Sequence, residues 1–199
     1  MRHTVDYFLA PNSPWVYLGH ARFEALVRET GAELRVRPMD LGQVFPVSGG
    51  LPLPKRAPQR QAYRLLELRR YSDALGLPLN LQPAHFPVPG DPAALLITAV
   101  AAHDGTDAAL RLVAAVARAV WAEERNIADP QTLSDLLGAC GLDAERLVQS
   151  QDDSTQAAYA ANTRDAIAAN VFGAPSYVVD GELFWGQDRL DFVAQRLRA

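Results

Sequence analysis

Apolar residues dominate from Val5 to Leu9, and the run stops at Pro11-Asn12-Ser13-Pro14, a cluster of turn and helix-start residues. That pattern predicts a strand over 5–9 delivering the chain to a loop. From Trp15 onward, Gly19, Phe23, Leu26 and Val27 recur at helical spacing, and Gly31 supplies a C-terminal stop. Leu34 and Val36 then alternate with Arg35 and Arg37 ahead of Pro38, which predicts a second strand. A β-α-β opening of this kind makes the two strands parallel, with a right-handed crossover.

Between Gln59 and Asn170 no alternation is sustained, and helix-start signals recur at Asp91-Pro92, Asp129-Pro130, Asp143 and Asp152. An acidic side chain can accept a free N–H of the first turn, and proline loses nothing at the first helical position. The stretch 59–75, ended by Gly76, also reads as a helix. Two proline-rich connections, 51–54 and 83–90, interrupt the helical section. Strand signals return over 176–179 and 182–185, joined by Asp180-Gly181, a dipeptide favoured in two-residue hairpin turns. A final helix, with Leu190, Phe192, Val193 and Leu197 at helical spacing, is predicted to start at Asp188. The order is therefore β-α-β, helices, β-β-α, and it predicts an α/β chain with a helical insertion.

The length of 199 residues suits one domain with a full core, or one domain carrying a large insertion. No apolar run approaches the ~20 residues of a membrane span, and the start, Met1-Arg2-His3-Thr4-Val5-Asp6, has no secretory pattern, so the expected location is cytoplasmic with no membrane partner. A net charge of −4 gives no general field for nucleic acid. The local basic stretch of Lys55, Arg56, Arg60, Arg64, Arg69 and Arg70 reads as a solvated helix face. The single cysteine, Cys140, excludes a disulfide or a Cys-x-x-Cys pair within the chain, and reads as a small apolar residue at a helix end. The histidines His3, His20, His85 and His103 lack metal-ligand spacing, so no metal is expected.

Three junctions can carry chemistry. Ser13-Pro14 has the composition of a well-made helix start, an N-cap followed by a first-turn proline. The same geometry gathers a hydroxyl and free N–H groups at the positive end of a helix, where an anion such as a thiolate is stabilised. Gly173-Ala174-Pro175-Ser176 puts a proline at the first position of a strand, either as an ordinary edge feature or as backbone turned outward at a site. Gly186-Gln187-Asp188-Arg189 is either a helix cap, with Asp191 three residues on, or a binding corner for a ligand bearing an amine and a carboxylate.

Together these segments resemble the 2-hydroxychromene-2-carboxylate isomerases and the related kappa-class glutathione transferases. The resemblance is carried by Val5-Asp6-Tyr7-Phe8 with Ser13-Pro14-Trp15-Val16-Tyr17-Leu18, by the segment 123–130, and most specifically by the nearly continuous block 171–190. In that group a Ser-Pro dipeptide replaces the redox Cys-x-x-Cys of DsbA-type proteins. The resemblance implies a thioredoxin-like fold with a large all-helical insertion domain, residues 1–45 and 170–199 forming the first and 46–169 the second. It also implies a homodimer that uses glutathione as cofactor together with a small aromatic substrate. By position, Ser13 faces the glutathione sulfur as the catalytic residue, and Ala174 before a cis Pro175 pairs with the tripeptide backbone. Trp185, Gly186, Gln187, Asp188 and Arg189 hold its γ-glutamyl end. Lys55 and Phe86 are candidate substrate contacts; the segment 48–55 lacks an Asn that better-known isomerases carry there.

The implied reaction is glutathione-dependent isomerisation of 2-hydroxychromene-2-carboxylate, or a similar aromatic carboxylate, to a trans benzylidenepyruvate. A kappa-like transferase or peroxidase would use the same thiolate. A DsbA-like thiol oxidoreductase is opposed by the missing cysteines, since disulfide exchange needs an attacking thiolate. A non-catalytic module presenting a groove beside Pro175 to an extended peptide is the remaining class.

Overall fold

The computed structural model describes residues 2–199; Met1, where the reading of the N-terminus begins, lies outside the described residues. β1 (Thr4–Leu9) leads into α1 (Pro14–Thr30) and returns in β2 (Glu33–Pro38), which pairs with β1 in parallel from Thr4↔Glu33 to Leu9↔Pro38. α1 ends at Gly31, whose φ of 63° is the left-handed conformation that closes a helix at little cost for glycine. β3 (Ser176–Val179) runs antiparallel to β1, and β4 (Glu182–Trp185) runs antiparallel to β3, giving the sheet order β2-β1-β3-β4. Asp180 and Gly181 both have positive φ at the turn between them, as a tight two-residue hairpin requires. This four-stranded mixed sheet with its flanking helices is the expected thioredoxin-like arrangement.

The sequence pattern gave no sign of α2 (Leu41–Ser48), because Pro46 stands inside it. An interior proline removes a helical hydrogen bond and normally marks a stop. Here Asp40 accepts from Gly42 N at 2.7 Å to start the helix, and the fully buried Val44 packs it into a cluster with Phe8, Met39, Ala166, Val171 and Val178. A short 3₁₀ turn (Leu53–Lys55) precedes α3 (Pro58–Leu75).

The remaining helices are α4 (Asp91–His103), α5 (Thr106–Trp121), α6 (Pro130–Ala139), α7 (Glu145–Gln149), α8 (Asp153–Ala168) and, after β4, α9 (Leu190–Leu197). Their starts follow the acidic signals with small shifts. Asp129 caps α6 through Thr132 N at 3.0 Å, whereas Asp91 is already helical and its carboxylate accepts the Tyr159 hydroxyl at 2.8 Å. Asp188 does not cap the last helix: Gln187–Arg189 forms a 3₁₀ turn, and α9 begins after it at Leu190. No helix among the described residues is long and apolar enough to cross a membrane.

One buried cluster runs from Val5, Tyr7 and Leu9 of the sheet through Val16 and Phe23 of α1 to Leu96 and Ile97 of α4 and Val113 and Trp121 of α5. α4 and α5 are thus packed directly onto the face that α1 covers, while α8 joins the second cluster through Ala166. Within this core Tyr7, Phe23 and Tyr177 form an aromatic stack with centroids 4.5–5.4 Å apart, a favourable offset arrangement. Burial holds both tyrosine hydroxyls well above their ordinary pKa, so they stay neutral.

Two predictions follow the packing of α1. A Cβ on Gly19 would lie 2.6 Å from Gln187 Cβ, too close to tolerate. Gly19→Ala therefore loses stability overall, by about 1–2 kcal/mol, because overpacking outweighs the helix propensity gained; urea unfolding reads the change, and a net gain would contradict the contact. His20, buried beside Tyr7 Oη (3.3 Å) and Leu110 O (3.0 Å), has its pKa lowered first by that burial. The unfolded chain then takes up a proton below about pH 6.5 that the folded chain resists. Stability due to His20 is present above that pH and falls as pH drops, so thermal unfolding of His20→Gln should be less acid-sensitive between neutral pH and 5.5 than that of the wild type.

Candidate functional site

The register of the sheet determines which loops meet. Phe8 of β1 stands opposite Ser176 of β3 in an antiparallel pair, so the loop leaving β1 runs beside the segment entering β3. Ser13 lies on the first of these loops and Ala174-Pro175 on the second, with the Ala174–Pro175 peptide bond cis.

Ser13 occupies the N-cap position of α1 in extended conformation (φ −81°, ψ 126°), yet its side chain makes no capping hydrogen bond. Its hydroxyl instead donates across the junction to Ala174 O, over a long 3.4 Å. Pro14 follows at the first helical position, and no acidic residue lies in the first turn. The serine is only 8% exposed. A weakly held hydroxyl therefore lies at the positive end of a 17-residue helix whose first turn carries no acidic residue. Such a group can donate to an incoming anion, because a 3.4 Å neutral bond is easily exchanged for a shorter charge-assisted one.

The facing loop is firmly held. Ser176 Oγ donates to Gly173 O at 2.8 Å, and Gly186 N donates to Pro175 O at 2.9 Å. A Cβ on Gly173 would lie 2.4 Å from Trp185 Nε1, so a side chain there would have to displace the indole. Trp185 covers that spot, half exposed, with its ring 4.8 Å from Phe172.

The structure divides the residues of the 185–189 corner. Trp185, Asp188 and Arg189 are exposed, the last two paired at 2.7 Å. Gln187 is 2% exposed, wedged against Gly19, and its side-chain and main-chain carbonyls both accept from Arg22. Gly186, at φ 104°, already has its N–H engaged by Pro175. Gln187 thus anchors the corner to α1, while the neighbouring exposed side chains face solvent. Arg22 is a supporting residue that local sequence signals could not reveal, since its partner lies 165 positions away.

Phe86 and Lys55 fall in different settings. Lys55 is exposed at the end of its 3₁₀ turn. Phe86 is half-buried against Trp121, with centroids 4.7 Å apart, and lines a shallow cavity of about 460 Å³ with Pro87, Val88 and Asn126. Asn126 belongs to the mid-chain segment 123–130 that carries part of the family resemblance. The cavity wall is tied to the serine loop by Asn12, whose Nδ2 donates to Val88 O at 2.8 Å. Asn12 directly precedes Ser13, and its turn-forming residue type concealed this longer-range role. Cys140 ends α6, far in sequence from the serine loop; it is half-buried, and burial pushes its thiol pKa up, away from the reactive thiolate.

The absence of a cap bond makes Ser13→Ala informative. A capping serine removed costs about 0.5–2 kcal/mol; here only a long hydrogen bond is lost, so the expected cost is below about 1 kcal/mol. Chemical denaturation of wild type and Ser13→Ala checks this, and a loss near 2 kcal/mol would restore the capping role.

Comparison with known proteins agrees with this geometry. Residues 4–198 match the DSBA-like thioredoxin domain family. The 2-hydroxychromene-2-carboxylate isomerase of Sphingobium xenophagum is 29% identical over 202 residues, covering 99% of each chain. The protein of the same name from Pseudomonas putida is 28% identical over 193 residues, covering 94% of this chain and 90% of that one. Among solved structures, a selenomethionine-labelled 2-hydroxychromene-2-carboxylate isomerase superposes with a TM-score of 0.83 at 24% identity, covering 98% of this chain and 94% of the other. With a Ser-Pro helix start after β1, an Ala-Pro loop facing it and a sheet order of β2-β1-β3-β4, the chain belongs to the DSBA-like thioredoxin domain family, and its sequence is similar over nearly its whole length to the 2-hydroxychromene-2-carboxylate isomerases.

Proposed function

We propose that this protein is a glutathione-dependent isomerase of 2-hydroxychromene-2-carboxylate or a similar aromatic carboxylate. The observation that carries the reading is the Ser13 hydroxyl, free of its helix cap and directed to the Ala174 loop at the start of α1. The full-length similarity to proteins named for this isomerisation supports it.

Bound glutathione would supply a nucleophilic sulfur whose reversible addition to a conjugated double bond permits rotation about it. The chain's own residues then have two tasks. Ser13 donates to the sulfur and, with the end of α1, favours the thiolate over a thiol whose ordinary pKa is about 8.5. Lowering that pKa by one unit requires about 1.4 kcal/mol, which a charge-assisted hydrogen bond and a helix end together can supply. Backbone at Ala174, and the exposed side chains Trp185, Asp188 and Arg189, offer the peptide and γ-glutamyl contacts. Gln187 serves the same corner from beneath, through Arg22. The Phe86 cavity beside the serine loop offers a wall for an aromatic ring.

The test is conversion of the chromene followed spectrally with and without glutathione, beside calorimetry of glutathione binding. Conversion that requires glutathione is expected. Ser13→Ala should raise the thiolate pKa of bound glutathione, read from ultraviolet absorbance, and reduce turnover at neutral pH roughly ten- to a thousandfold. Unchanged titration and turnover would remove Ser13 from the chemistry. Failure to bind glutathione at millimolar concentration would end the reading, and conjugation of chlorodinitrobenzene in place of chromene conversion would assign a transferase.

A further inference from the structure

The basic stretch along α3 does not behave as one solvated face. Arg60, Arg69 and Arg70 are exposed, and Arg70 pairs with Glu67 at 2.6 Å. Arg64 is half-buried, and its guanidinium carbon stands 5.4 Å from the centroid of Phe86 and 5.6 Å from that of Trp121. Two aromatic faces hold it, and no acidic side chain among the described residues contributes to its charge balance. Burial, then the neighbouring Arg56, pull its pKa down to about 10. Arg56 is half-buried as well, its Nε donating to Leu51 O at 2.8 Å, and its pKa is lowered by burial and by Arg60. Beside these rings the indole N–H of Trp121 is buried without a partner.

This arrangement is one that an anion would complete. A guanidinium carries five N–H donors in a planar fork, and the π faces beside Arg64 use its charge but do not supply hydrogen-bond acceptors of the lone-pair kind. A half-buried cation repelled by its neighbour and lacking a carboxylate is an incomplete ion pair. Phe86 lines the cavity of about 460 Å³, and two residues on, Val88 is tied to Asn12 at the serine loop. Cation, aromatic wall and the loop bearing Ser13 are therefore linked through the single segment 83–90.

We propose that Arg64, which stands over the Phe86 ring but is not itself part of the cavity wall, is the carboxylate-recognising residue for a planar aromatic acid that enters there, with its ring along Phe86 and its carboxylate on the guanidinium. The assignment deepens the isomerase reading and rests on it only for the reaction that the acid enters. Lys55, an exposed ammonium on a flexible stem, lacks the bidentate fork and the aromatic support that orient Arg64.

Equilibrium dialysis with trans-2-hydroxycinnamate and its neutral primary amide tests the site, using the whole protein with and without saturating S-methylglutathione. The wild type should bind the acid about tenfold or more tightly than the amide. Arg64→Gln should weaken the acid by about ten- to a hundredfold and the amide by less than about twofold, the loss expected of a charge-assisted hydrogen-bonded pair. Arg64→Lys, which keeps the charge and the bulk of the stem, should show a partial loss and covers the case in which Arg64→Gln does not fold. Equal affinity for acid and amide, no acid binding by the wild type at millimolar concentration, an acid affinity unchanged in both variants, or a larger loss in Lys55→Gln than in Arg64→Gln would each overturn the assignment. Glutathione affinity of every variant is measured in parallel. Its absence with acid binding intact sinks the isomerase reading and leaves the Arg64 site standing, and the converse overturns Arg64 alone.

Discussion

The antiparallel pairing of β1 with β3 is the constraint on which the site depends. Once Phe8 is opposite Ser176, the chain leaving one strand and the chain entering the other must run side by side. Ser13 and Ala174, 161 positions apart, are brought within 3.4 Å by that register. A slip by one residue would turn alternate side chains to the wrong face, and Val5, Tyr7, Tyr177 and Val179 are all fully buried, so the core enforces the register. The geometry of the serine loop is thus secured by hydrophobic packing several residues away.

The helical section closes the other side by joining the same core. Trp121, at the end of α5, is fully buried and supports Phe86, which belongs to the proline-rich connection tied to Asn12. Proline restricts the connection to few backbone conformations, which lowers the entropy lost in ordering a wall of irregular structure. The corner at 185–189 is secured differently, through one guanidinium. Arg22 occupies both carbonyls of Gln187, and Gly19 leaves room for its Cβ. In each case one residue is consumed in holding a junction in place, and an exposed or weakly bonded neighbour is left without such a task.

The lineage also explains the choice of serine. A DsbA-type active site depends on thiols, and the lone Cys140 lies half-buried with its pKa raised. With a hydroxyl at the helix start, the protein itself offers a hydrogen-bond donor in place of a nucleophile. On the proposed reading the thiolate enters with a small molecule, for which an anion-stabilising helix end and an open corner are suitable surroundings.

What the sequence alone determined is local. Periodicity and turn residues located β1, α1, β2, the 180–181 hairpin and most helix starts, because each depends on neighbours within a few positions. The motifs around Ser13, 173–176 and 186–189 identified which junctions to examine. Only the tertiary structure decided how the polar groups there are used. Ser13 has the sequence of a cap and does not cap; Gln187 resembles a ligand residue and is buried beneath Arg22; Arg64 has the pattern of a solvated face and stands over two adjacent rings. α2 was concealed by Pro46, since its stability comes from burying Val44 and not from propensity. Strand and turn preferences are properties of short segments, whereas the partner of a hydroxyl, an amide or a guanidinium is chosen among groups that only the packed chain brings together.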